Sequence, residues 1–138
     1  MAPGRLGACL VMLALLPSAA GAAPSLAGNW FGHGQPGDKG AMYLDRMLPN
    51  GEFRVHHRTC IKGKAFDQFA AGRWSQTAGG FTINIQTVNG AGNPRTDTYR
   101  IVSLDAQKQH YVYLRTNFAY HARRVAGDFK MPDCDLIS

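Results

Sequence analysis

Over residues 52–61 polar and apolar side chains alternate strictly. Phe53, Val55, His57, Thr59 and Ile61 fall on one face, and Arg54, His56, Arg58 and Cys60 on the other. A period of two marks a strand with one buried face, because successive side chains of an extended chain point to opposite sides. The period recurs at 81–88, where Phe81, Ile83, Ile85 and Thr87 share a face. It recurs again at 109–116, through Tyr111, Tyr113 and Arg115, and at 118–125, through Phe118, Tyr120, Ala122 and Arg124. β-rich runs at 26–32, 41–48, 68–76 and 96–104 bring the number of expected strands to eight. Turn signals fall between them: a Gly/Pro/Asp cluster at 34–40, Pro49-Asn50-Gly51, a connector at 62–67, Ala78-Gly79-Gly80, a longer loop at 89–94 and a turn at 105–108. Asn-Gly is the strongest of these, since both residues accept positive φ. Little more than Asn117 separates the last two strands, and no segment sustains a helical period.

Eight strands on short links predict an all-β, up-and-down antiparallel meander. Left open, such a sheet exposes two edges, each a row of unpaired N–H and C=O groups. Closing it removes both and encloses room for side chains or one small ligand. A closed barrel is therefore the expected fold, with a β-sandwich as the alternative.

The first 22 residues follow a different pattern. Arg5 precedes the apolar run 9–16, which is too short to span a bilayer, and Pro17-Ser18 and then Ala20-Gly21-Ala22 follow. This is the layout of a secretory signal peptide, with cleavage expected after Ala22 and Ala23 as the alternative. Leu6-Gly7-Ala8-Cys9 superficially fits a lipoprotein signal, but the apolar run follows the cysteine instead of preceding it. No later stretch has the length and apolarity of a membrane helix. Residues 23–138 then form a single exported domain, periplasmic or secreted and expected to be monomeric. Cys9 leaves with the leader, and Cys60 and Cys134 form an even pair in an oxidising compartment, which predicts one disulfide.

Removing Arg5 leaves 14 basic against nine acidic residues, a net charge of about +5. Outside the cytoplasm that balance points away from nucleic acid and toward a basic surface that meets solvent, an anionic surface or a protein partner.

Gly28-Asn29-Trp30 on the first strand resembles the Gly-x-Trp signature of the lipocalins, in which a basic residue of the last strand stacks over the indole. Arg124 shares a face with Phe118, Tyr120 and Ala122 and is the expected partner of Trp30; Arg123 points the other way. Thr96-Asp97-Thr98-Tyr99 is loosely similar to the family's Thr-Asp-Tyr motif, and a bridge from Cys60 to the C-terminal Cys134 matches a common lipocalin arrangement. The resemblance implies a small-molecule binding barrel. Only about a dozen residues follow Val125, too few for the family's C-terminal helix.

The residues carry no recognisable enzyme motif: no Gly-x-Ser-x-Gly elbow, no His-Glu-x-x-His helix and no phosphate loop. Glu52 is the only glutamate, and most carboxylates are expected in turns or at strand ends. His56 and His57 point to opposite faces of one strand and cannot share a metal, and neither a metal nor a cofactor is implied. The expected ligand-binding face is Phe53, Val55, His57, Tyr111 and Tyr113, an apolar wall with a few polar tips suited to a small, partly apolar ligand, including an anionic one. Two other readings compete: an inhibitor or interaction module acting through loops such as 89–94, and a barrel enzyme of unknown chemistry.

Overall fold

The computed structural model describes residues 25–34 and 40–136. Eight strands follow one another: β1 (Gly28–His33), β2 (Ala41–Met47), β3 (Glu52–Ile61), β4 (Lys64–Thr77), β5 (Gly80–Val88), β6 (Ala91–Leu104), β7 (Lys108–Tyr113) and β8 (Phe118–Val125). A single 3-10 turn, Cys134–Leu136, comes after them. Each strand pairs antiparallel with the next, and β1 pairs with β8, so the sheet closes on itself. The closed barrel is the fold, and the sandwich alternative is set aside. The expected leader at 1–22 and most of the turn at 34–40 lie outside the described residues.

Two expected linkers are largely strand. The connector at 62–67 is a two-residue turn, Lys62-Gly63, with both residues at positive φ (52° and 74°), and β4 begins at Lys64. Such turns match the right-handed twist of a hairpin. Lys-Gly is not the usual composition for one, which is why the sequence pattern misses it. Asn89-Gly90 (φ 50° and 78°) makes a second turn of this kind, and the expected loop at 89–94 becomes the start of β6. Pro94 is tolerated there because the β5–β6 register shifts between Ile85 and Thr87, placing the proline in a bulge. At the other end, β7 stops at Tyr113, and residues 114–117 form a turn.

At Pro49-Asn50-Gly51 only Gly51 takes positive φ (90°), and its N–H bonds to the Leu48 carbonyl. The β4 segment 64–68 and the β6 segment 91–97 each lack a second described neighbour; beyond them the Asn89 N–H donates to the Phe69 carbonyl (2.7 Å) and the Leu114 N–H to the Thr98 carbonyl (3.1 Å). The β4 side of the β3–β4 hairpin and the β6 side of the β5–β6 hairpin therefore stand clear of the next strand at one end, the mouth.

The opposite end is plugged. Leu26 and Trp30 are fully buried, and Met47 nearly so. The Trp30 indole N–H donates to the Leu26 carbonyl (2.8 Å), which satisfies the only polar group of that side chain. Arg124 lies over the indole, its guanidinium carbon 4.3 Å from the ring centroid. Its nitrogens donate to three carbonyls: Ala27 (2.7 Å), Ala106 (2.7 Å) and Ser25 (3.1 Å). Gly28 makes this possible. Its φ is 135°, and a side chain there would collide with the Arg124 guanidinium.

Outside the barrel, Phe31, Met42 and Leu44 form a second small core beneath the C-terminal segment, packed against Phe129 and Met131. Arg46 donates to the Gly127 carbonyl (3.1 Å) and Arg58 to that of Pro132 (3.0 Å), which fastens this strap across the wall. The Cys60–Cys134 disulfide secures its end, with a Cα separation of 5.4 Å. Arg123 lies on this outer side, over the rings of Phe31 (5.3 Å) and Phe129 (5.2 Å).

Arg124→Ala removes the ring contact and three charge-assisted hydrogen bonds, and should cost about 2–4 kcal/mol of unfolding free energy. Arg123→Ala should cost about 1 kcal/mol or less, because the arginine itself is exposed. Urea unfolding of both variants checks the order, and equal losses would contradict the assignment of Arg124 to the plug. Reducing the disulfide, which closes a long loop, should lower stability by about 4 kcal/mol and open Lys130 in the strap to trypsin.

Candidate functional site

Between the plug and the mouth the barrel keeps a cavity of about 200 Å³. An apolar cavity of about 150 Å³ holds benzene, whereas drug-sized ligands occupy roughly 300–1,000 Å³. The space therefore suits one ring or a short chain.

Its walls follow from the alternation of inward positions. β3 contributes Phe53, Val55 and His57, β5 contributes Phe81, Ile83 and Ile85, and β7 contributes Tyr111 and Tyr113. All five residues expected on the ligand-binding face line the cavity. The aromatic side chains pack on one another. Tyr99 stacks on Phe81 (4.6 Å between centroids) and on Tyr113 (5.0 Å), and Tyr111 stacks on Tyr120 (5.5 Å). The Tyr111 hydroxyl donates to that of Tyr43 (2.9 Å). Burial, as the largest cause, pushes the Tyr43, Tyr99 and Tyr111 phenols well above the ordinary tyrosine range, so all three are neutral.

Two carboxylates stand among these rings. Asp97 is buried but well partnered: it accepts from the Tyr113 hydroxyl (2.6 Å) and from Arg95 Nε (3.0 Å). Asp45 is equally enclosed, at 8 % exposure, and lines the cavity between Tyr43 and Met47. No hydrogen bond or ion pair to a described residue holds its carboxyl group, and burial alone raises its pKa to about 7. Both are exceptions to the expectation that most carboxylates sit in turns or at strand ends, which Glu52, Asp105, Asp128, Asp133 and Asp135 meet. The pattern Tyr43-x-Asp45-x-Met47 was the available signal, a carboxylate on the inward face of a strand otherwise lined with large side chains.

His57 stands at the mouth, open to solvent yet walled by the barrel. Burial first, and then the Arg95 and His56 charges, lower its pKa below the usual histidine value. His56 is on the outer face, stacked on Phe69 (4.3 Å) and bonded to Asp67 (2.7 Å). Gly28, Trp30 and Arg124 form the plug and do not line the cavity. Arg95, Asp97, Tyr99 and Tyr120 also line it. Alternation could have placed Tyr99 and Tyr120, whereas Arg95 was hidden by reading 89–94 as a loop. Among the described residues no cluster of three His, Cys, Asp or Glu side chains is arranged to hold a metal, and no helix is long and apolar enough to cross a membrane.

The fold and site define a class: an eight-stranded closed β-barrel, plugged at one end, with a small aromatic cavity toward the other. Compared with protein-family models the chain matches none, and no curated protein is detectably similar to it in sequence.

The Asp45 pKa has a stability consequence with a definite sign. The folded state holds the Asp45 proton more tightly than the unfolded chain, whose ordinary value is 3.8. The contribution of Asp45 to stability is therefore fully present below about pH 4 and is lost as pH rises through about 7, where the folded carboxyl ionises without a partner. Asp45→Asn should stabilise the protein at pH 8 by up to about 4 kcal/mol and have little effect at pH 4. Urea unfolding at the two pH values checks this, and a pH-independent difference would contradict it.

Proposed function

We propose that this protein is an exported, lipocalin-like binding protein that holds a small, partly apolar molecule in its barrel. One observation carries the reading: a cavity of about 200 Å³, walled by rings and branched aliphatic side chains, into which a few polar groups converge. A packed interior would have favoured an interaction module instead. The loop nominated for that role, 89–94, is a tight turn and the start of a strand, so it offers no long flexible surface. The lipocalin likeness draws support from Gly28-Asn29-Trp30 at the plugged end, from Arg124 over the indole and from the Cys60–Cys134 tie. Export draws support from the leader-like residues 1–22 and from the disulfide, which persists in an oxidising compartment. The reading is of a binder, not a catalyst.

The test is a titration with a small environment-sensitive apolar fluorophore. Ala70 lines the cavity, so Ala70→Phe should fill it and abolish binding. His57→Ala should weaken binding several-fold, and the outward His56→Ala should leave it unchanged. Binding that survives Ala70→Phe, or that responds equally to the two histidines, would remove the pocket and advance the interaction-module reading.

A further inference from the structure

Asp45 is the carboxylate in the cavity that no other described residue holds. It is more than nine-tenths buried, and no described residue donates to it or pairs with it. An ionised carboxylate is an acceptor only, and one enclosed without a donor is costly. Three of the donors that line the cavity bond elsewhere: Tyr111 to Tyr43, and both Tyr113 and Arg95 Nε to Asp97. We propose that the cavity binds a small organic cation, a protonated amine on a single ring or short chain, with the Asp45 carboxylate as its counter-ion. This rests on the binding reading above and names the class of ligand.

Three further features point the same way. The charged groups lining the cavity are Asp45 and Asp97 against a single guanidinium, Arg95, with His57 favoured neutral at the mouth. The interior is thus acidic inside a basic protein, and the Asp45 charge raises the pKa of Tyr43, Tyr99 and Tyr111. Those rings also present π faces, and a cation enclosed by tyrosines gains from their quadrupoles in a way an anion does not. Finally, the volume admits one ring with an aminoalkyl arm and little more. A carboxylate ligand would be driven against Asp45 itself. A neutral alcohol would fit by shape but leave the carboxylate without a charged partner.

The experiment compares three probes of similar shape by calorimetry at pH 7.5: 2-phenylethylamine, 2-phenylethanol and 3-phenylpropanoate. Wild-type protein should bind the amine about tenfold or more tightly than the alcohol, as a buried charge-assisted hydrogen bond implies. The carboxylate should bind weakest. Asp45→Asn should reduce amine affinity to that of the alcohol while alcohol binding persists. Alcohol or carboxylate affinity equal to that of the amine, or an Asn variant that keeps the amine preference, overturns the cation and leaves the binding reading standing. If wild type binds none of the three, both fall.

Discussion

The pairing of β1 with β8 sets Asn29 beside Val125 and Gly32 beside Ala122, joining the two ends of the meander. Without it the sheet would have two bare edges and its inward face would be open to water. The seam is short, four residue pairs, and it is braced from both sides by consecutive residues of β8. Arg124 reaches inward over Trp30 to the carbonyls that precede β1, while Arg123 lies outside on Phe31 and Phe129. Strand alternation makes this division automatic, since neighbouring side chains must face opposite ways. The interior space exists because this seam holds.

Most of the architecture was legible because a half-buried strand cannot hide its period. Residues 52–61 and 118–125 were bounded as found, and Phe53, Val55, Tyr111 and Tyr113 follow from alternation alone. Turn chemistry was less legible where the residues were atypical. Lys62 carries a positive φ usually given to Asn or Asp, and Pro94 looked like a strand breaker because a bulge in the register is invisible in one sequence. Asp45 and Asp97 were missed for a different reason. A carboxylate in a sequence is read by its usual place in solvent, and that habit outweighs the alternation that puts Asp45 on the inward face with Tyr43 and Met47.

A basic exterior encloses an acidic, aromatic interior, and the contrast separates two requirements. The surface charge governs what approaches from a distance and weakens with salt, whereas enclosed charges are screened far less. An enclosed carboxylate with no partner weakens the fold that contains it. The plug, the strap and the disulfide offset such a weakness without touching the cavity, because they act at the opposite end and on the outer face.

The unequal strand lengths at the mouth bear on how one molecule meets another. Segments 64–68 and 91–97 each present a backbone ladder paired on one side only among the described residues. A bare ladder is a template on which a second copy can add its own strand, and fibres grow that way. Here Lys64 places a charge at the tip of one ladder, and Pro94 with the bulge opposite Gln86 interrupts the other. Neither ladder offers a long, flat run of amides, so the same irregularities that obscured these strands in the sequence also keep the mouths of neighbouring barrels from zipping together.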